Sequence, residues 1–199
     1  MNTSKDREEE RVLELLVAIN RQSDLSQRHL ARHMGVALGL ANSYLKRCVR
    51  KGLIKINGAP AHRYLYYLTP KGFAEKGRLT AKYLTTSFEF YRRAGASCVR
   101  VFDECQAKGW RRIILCGVSD LAEIAALRAL EMDLSIVGTY DLGTEREQFL
   151  GRPVWREIKD PASFDTCVLT DLSMPRNNYE RLVAEVGRER IMVPDILNL

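Results

Sequence analysis

The run "EEERVLELLVAINRQ" places apolar side chains at Val12, Leu13, Leu15, Leu16 and Ile19. That spacing predicts an amphipathic helix with one buried face. "SDLSQRHLARHMGV" follows, with Ser26 where an N-cap belongs and Leu30 and Met34 facing inward. Ala31 is small enough for a close helix crossing, Gly35 permits a tight turn, and Val36 can plug the core beneath it. Over residues 37–51, Leu40, Tyr44, Leu45 and Val49 recur at helical spacing, and Gly52 ends that helix. Two β-prone runs, 53–56 and Arg63–Leu68, flank Asn57-Gly58-Ala59-Pro60, whose Asn-Gly pair predicts the turn of a hairpin. Thr69 and Pro70 then open a helix over 71–91, with Phe73, Leu79, Tyr83, Leu84 and Phe88 inward. After "RRAGAS" a second helical piece is expected over 96–108.

The pattern changes beyond residue 110. "RRIILCG" reads as a short buried strand ending in glycine, followed by a helix Asp120–Glu131 with Leu121, Ile124, Leu127 and Leu130 apolar. "LSIVGTYD" is a second strand, "LGRPVW" a short edge strand and "FDTCVLTDL" a third major strand. "MPRNNYERLVAEVG" is a helix opening at Pro175, and "RIMVPDIL" a last strand. Alternating strands and helices imply a parallel sheet. The expected fold is therefore an α+β winged helix-turn-helix domain followed by a small α/β Rossmann-like domain. The expected division is 1–70 for the winged helix, 71–109 for a helical connector and dimerisation region, and 110–199 for the α/β domain.

Charge sharpens this division. Residues 1–93 carry 18 Lys and Arg against 8 Asp and Glu, whereas residues 94–199 carry 13 against 17. A basic half joined to an acidic half points to a polyanion met by the first half alone. Neither an apolar membrane span nor a secretory h-region is evident, so the cytoplasm is the expected location and no membrane partner is expected. Cys48, Cys98, Cys105, Cys116 and Cys167 form no C-x-x-C pair and read as small buried hydrophobes; no metal site is expected. Cys98 and Cys105, seven apart, are the pair a redox sensor would use.

A short helix, a glycine turn and a second helix that can enter the major groove make a helix-turn-helix, and the hairpin after it makes a wing. Ser26, Gln27 and Arg28 open the supporting helix, where backbone N–H groups and Arg can hold phosphate. Asn42, Ser43, Lys46 and Arg47 lie on the polar side of the second helix; Asn can pair with adenine, and Arg or Lys with guanine. His62 and Arg63 stand at the base of the wing, within reach of backbone phosphate or the minor groove. The expected partner is double-stranded DNA.

These residues carry a closer resemblance. The motifs are Ser26-Gln27-Arg28, Gly35-Val36-x-Leu38-Gly39, Asn42-x-x-Leu45-Lys46, Lys51-Gly52-Leu53-Ile54-Lys55 and Leu68-Thr69-Pro70-Lys71-Gly72. Over residues 8–90 the chain resembles the MarR-type winged-helix regulators of bacterial exopolysaccharide gene clusters. The resemblance implies a transcriptional regulator, of surface polysaccharide genes. It also implies a long helix after the wing that supports a homodimer.

In the second half, Gly117, Val118, Ser119, Asp120, Leu121 and Ala122 fall on the six positions of a G-x-G-x-x-G fingerprint. Only the first glycine is present, and Asp141 holds the place of the ribose-binding acid. Tight dinucleotide binding is not expected, but the helix N-terminus and the Ser119 hydroxyl can hold a phosphate or sugar. Residues 111–156 resemble the N-terminal nucleotide-sugar-binding domain of bacterial sugar O-acyltransferases of the sialic-acid acetyltransferase type, through the glycine loop, I-V-G-T-Y-D and G-R-P-V. That resemblance implies a nucleotide or nucleotide-sugar effector at Gly117, Val118, Ser119, Asp120 and Asp141, with no resident cofactor. The hexapeptide-repeat helix and its histidine loop are missing, and all three histidines, His29, His33 and His62, lie in the first half, so no enzyme is expected. The competing reading makes the second domain a protein-interaction or dimerisation module without ligand.

Overall fold

The computed structural model describes residues 4–59, 63–158 and 163–199. The chain divides into two compact units, the first through Ser87 and the second from Phe88.

The first unit is a three-helix core with a wing. Helices α1 (Ser4–Arg21), α2 (Gln27–His33) and α3 (Leu38–Arg50) bury Leu15, Leu16, Ile19, Leu30, Met34 and Leu45 around one centre. Ser26 caps α2 by accepting a hydrogen bond from the His29 N–H at 3.1 Å. Gly35, at a φ of 59°, turns the chain into α3, and Val36 sits half-buried against the core. On α3 the inward face is Ala41, Leu45 and Cys48. Leu40, expected inward, is 48% exposed because it stands one residue ahead of that face.

Strands β1 (Ile54–Ala59) and β2 (Arg63–Leu68) form the antiparallel wing. Asn57 and Gly58 do not turn the chain. They lie in β1, paired with Leu65 and Tyr64. The six-residue aromatic strand β2 imposes a matching partner, and ladder bonds outweigh the local Asn-Gly turn preference. Residues 60–62, and with them His62, lie outside the described residues.

Helix α4 (Pro70–Ala107) is continuous. Its start explains the L-T-P-K-G motif. Thr69 Oγ1 accepts the Gly72 N–H at 3.0 Å as N-cap and donates to the Gly52 carbonyl at 2.6 Å. A Cβ on Gly72 would stand 2.0 Å from the Leu53 carbonyl oxygen, so glycine is needed for close packing there. The break expected at "RRAGAS" is absent. Gly95 is buried in mid-helix, where a Cβ would press on the Arg128 guanidinium at 3.0 Å. Packing outweighs the weak helix propensity of glycine. Leu79 belongs to the core of the first unit, and Ala94, Cys98, Phe102 and Cys105 to that of the second.

The second unit is an α/β layer structure. Its strands are β3 (Arg112–Cys116), β4 (Ser135–Tyr140), β5 (Gln148–Phe149), β6 (Arg152–Trp155), β7 (Thr166–Leu169) and β8 (Ile191–Met192). They stand in the order β5-β6-β4-β3-β7-β8, all parallel along the sheet except β5, which pairs antiparallel with β6. "LGRPVW" is therefore not the edge, since β6 lies between β4 and β5. The last strand is shorter than expected: after β8 the chain passes into a 3-10 turn, Asp195–Leu197. The unbroken apolar run of β3 follows from burial on both faces. Ile113 and Leu115 meet α5 (Asp120–Glu131) and the end of α4, while Ile114 and Cys116 share a cluster with Leu182 and Val186 of α6 (Pro175–Val186). Of the apolar residues of α5, Leu121 and Ile124 are buried, whereas Leu127 and Leu130 are 44% and 77% exposed.

Candidate nucleic-acid interface and the glycine loop

The outer face of α3 carries Gly39, Ser43, Lys46 and Arg50, all exposed. Ser43 donates back to the Gly39 carbonyl at 3.0 Å, which folds its hydroxyl onto the helix. Asn42 flanks this face half-buried, and its Oδ1 is buried with no hydrogen-bond partner among the described residues. Arg50 continues the row at one turn from Lys46 and was not singled out from sequence, although its i+4 spacing carried the signal. On α2, Gln27 and Arg28 are exposed beside the Ser26 cap. Arg28, Lys46 and Arg50 enter no ion pair among the described residues.

Arg47 stands apart from the others. It pairs with Glu8 of α1 at 2.6 Å and lies 4.9 Å over the Tyr44 ring. Expected at the polar face, it is turned toward its own domain, because α1 supplies a carboxylate that periodicity along α3 cannot see. Lys82 and Arg78 of α4 are likewise engaged, Lys82 with Asp6 and Glu9, and Arg78 with Glu9 and Glu75. These pairs hold the Glu9 and Glu75 carboxyls below their ordinary range, Lys82 being the main cause at Glu9 and Arg78 at Glu75. Carboxylates of α1 and α4 thus engage Arg47, Arg78 and Lys82, while Arg28, Lys46 and Arg50 on α2 and α3 are left open. Arg63 takes its place at the start of β2, paired through the backbone with Ala59.

The five residues of the second site do come together, at the carboxyl ends of β3 and β4. Gly117, at a φ of 110°, brings its backbone against β7, and a Cβ there would lie 2.6 Å from Asp171 backbone atoms. Several of the loop's polar groups bond to the protein itself. Val118 N–H donates to Asp141 Oδ2 at 2.7 Å, and Asp141 Oδ1 accepts from the Gly143 and Thr144 N–H groups. Ser119 Oγ accepts the Ala122 N–H at 3.2 Å as the N-cap of α5 and donates to the Thr170 carbonyl at 2.6 Å. Buried Thr170 donates to the Gly117 carbonyl at 2.7 Å. Asp171 accepts from Ser173 and Met174 ahead of α6. Asp120 is exposed. A fingerprint loop needs free donors facing a pyrophosphate; here the Val118 donor and the Asp141 carboxylate satisfy each other.

All five cysteines are buried and unpaired. Burial pushes the Cys98 and Cys105 thiols up to about 11, so at neutral pH both stay protonated. A redox sensor needs an accessible thiolate, which removes the basis for that reading. Among the described residues, no group of three His, Cys, Asp or Glu side chains converges as a metal site, and no helix is long and apolar enough to cross a membrane.

A family model described as winged helix-turn-helix DNA-binding matches residues 9–55. That span takes in most of α1 and all of α2 and α3 and enters β1, so the first unit is a winged helix-turn-helix. No curated protein sequence matches the chain. Among solved structures, the chain is similar to a Mycobacterium tuberculosis MarR family protein in complex with p-aminosalicylic acid, at 22% identity over 49% of this chain and 75% of that one, with a TM-score of 0.39. It is similar to MepR, a transcription regulator of the Staphylococcus aureus multidrug efflux pump MepA, at 22% identity over 42% and 61%, with a TM-score of 0.36. Streptococcus pneumoniae FabT in complex with DNA follows at 18% identity over 61% and 69%, with a TM-score of 0.34.

Proposed function

We propose that the chain is a MarR-type transcriptional regulator that binds double-stranded DNA through α2, α3 and the wing. One observation carries this reading: the outer face of a winged helix-turn-helix keeps Arg28, Lys46 and Arg50 exposed and free of ion pairs among the described residues, while Arg47, Arg78 and Lys82 pair with carboxylates of α1 and α4. Asn42 and Lys46 read base edges, and Ser26, Gln27, Arg28 and Arg50 hold phosphates. Ser43 shapes the face, and His62 and Arg63 belong to the wing contact. The motif resemblance over residues 8–90 names surface polysaccharide genes as the target. Selection of bound duplexes from a random pool, followed by anisotropy titration, tests both levels. Failure to enrich any sequence rejects the regulator, and an enriched site remote from such genes rejects only the target.

The regulator acts as a homodimer. Phe73, Tyr83, Leu84, Phe88 and Tyr91 are exposed on α4, at 52%, 53%, 46%, 58% and 37%. Four of them were expected to face inward; in a single chain they have nothing to bury against. Soluble monomers rarely leave such an apolar row uncovered, and paired half-sites favour a two-fold dimer.

For the second unit the reading best supported is a Rossmann-like regulatory module that works through protein contacts, without a nucleotide at Gly117, Val118, Ser119, Asp120 and Asp141. The mutual satisfaction of Val118 and Asp141 supports it. A thermal-shift panel of nucleotides and nucleotide sugars decides: stabilisation lost in Ser119→Ala restores the effector reading, and no shift across the panel retains the module.

A further inference from the structure

Two thiols meet in the core of the second unit. Strands β3 and β7 run parallel, with Ile114 level with Cys167 and Cys116 level with Leu169. Level residues on neighbouring parallel strands project to the same face of the sheet. Ile114, Cys116, Cys167 and Leu169 accordingly share one apolar cluster with Leu182 and Val186 of α6. Cys116 and Cys167 are diagonal neighbours on that face, and their thiols lie within hydrogen-bonding reach of each other. Both are free and closed off from solvent.

The register does not suit a disulfide. Neighbouring strands stand about 4.8 Å apart and two residues along a strand add about 6.6 Å, so the two Cα atoms are about 8 Å apart. A disulfide does not span more than about 7 Å without moving the backbone. The backbone is pinned at this point, where the Cys116 carbonyl accepts the Thr170 and Asp171 N–H groups at 2.8 and 2.9 Å. A metal ion between the sulfurs reaches further. Two metal–thiolate bonds, each about 2.3 Å with zinc, take the place of one S–S bond of about 2.05 Å.

Charge and ligand number then select the metal. Burial first, then the Cys167 thiol and the Glu185 and Asp141 carboxylates, hold the Cys116 thiol well above its ordinary value, so this place resists negative charge. Tyr140, in the same cluster, donates its hydroxyl to Glu185 at 2.7 Å. A monovalent ion that replaced two thiol protons would leave a net negative charge in an apolar interior, which is costly. A divalent ion leaves none. Zinc takes four ligands, and no third His, Cys, Asp or Glu side chain joins this pair among the described residues. Thiolates favour soft metals, which leaves a soft divalent ion satisfied by two sulfurs.

We propose that Cys116 and Cys167 form a two-coordinate site for a soft divalent cation of the mercuric type. Two sulfur–hydrogen bonds break and two sulfur–metal bonds form. Both protons pass to solvent, nothing is oxidised, and the bridged site is neutral. The bridge ties β3 to β7 at their carboxyl ends, just ahead of Gly117 and Thr170. Entry is through local opening of the unit, since neither thiol is exposed. The site depends neither on the DNA-binding reading nor on the glycine loop.

The test uses the reduced full chain with one equivalent of mercuric chloride, read by thermal unfolding. An ion held by the folded state raises the melting temperature, whereas an ion held by thiols freed on unfolding lowers it. The unsubstituted chain should gain several degrees in the transition of its second unit. Cys116→Ala and Cys167→Ala should each lose that gain. The triple variant Cys48→Ala, Cys98→Ala and Cys105→Ala should keep it. Silver ion, also soft but monovalent, should give a smaller gain. A fall in the unsubstituted chain overturns the proposal, and so does an equal gain in Cys167→Ala, which would move the ion to other thiols. An equal gain with silver overturns the selection of a divalent ion. If the single variants do not fold, the triple variant decides: a gain at one equivalent upholds the pair, and no gain overturns it.

Discussion

Asn42 presents an opposition between stability and function. Its Oδ1 is buried without a partner among the described residues, and an unpaired buried acceptor costs about 1–3 kcal/mol. Asn42→Ala should therefore leave the melting temperature unchanged or raise it. The same change should cost operator binding about 0.5–1.5 kcal/mol, the worth of the one hydrogen bond that the amide Nδ2 can give a base edge while Oδ1 is buried. A fall in both quantities would make Asn42 a structural residue. Arg47 should behave in the opposite sense. Arg47→Ala removes the pair with Glu8 and the stack on Tyr44, so it should lower the melting temperature while barely changing the salt dependence of DNA binding. Gly117→Ala should destabilise the second unit by about 1–3 kcal/mol or more, because the added Cβ meets Asp171 at 2.6 Å. Denaturant unfolding measures this. Ser119→Ala, which adds no atoms, is the cleaner probe of the loop.

At the scale of elements, α4 and β3 carry the testable consequences. Leu84→Glu with Phe88→Glu places charge on the exposed apolar row of α4. Sedimentation should then show a monomer where the parent is a dimer, with helix content retained. A monomeric parent would refute the dimer. The start of β3 is pinned by Asp165, whose Oδ2 accepts the Arg111 and Arg112 N–H groups at 2.7 and 2.8 Å. These two bonds, the one from Arg112 foremost, hold its carboxyl below the ordinary range. Unfolded, it titrates near ~3.9. Its contribution to stability is whole above that pH and is lost as pH falls through the lower folded value. Melting temperatures followed from neutral pH to about 3 should fall less steeply in Asp165→Asn than in the parent.

At the scale of the molecule, charge is divided by task, with the basic excess in the first unit and the open cations on α2 and α3. The DNA affinity of the whole chain should fall linearly on a log–log plot against salt, and Arg28→Ala or Arg50→Ala should each reduce the slope by about one per half-site. An unchanged slope would remove that residue from the phosphate contacts. Much of this plan was legible in the chain. Helical spacing located α1, α2 and α3, Ser26 and Thr69 announced their caps, and the apolar run of β3 announced a sheet covered on both faces. These are local properties, set by which side chains a period of 3.6 or 2 brings to one side. What only the tertiary structure decided involves partners distant in sequence. Strand pairing with β2 kept Asn57-Gly58 in a strand, and packing against Arg128 carried α4 through Gly95. A carboxylate on α1 turned Arg47 away from the DNA face. Asp141, 23 residues from Val118, occupied the donor that a fingerprint loop would offer a phosphate.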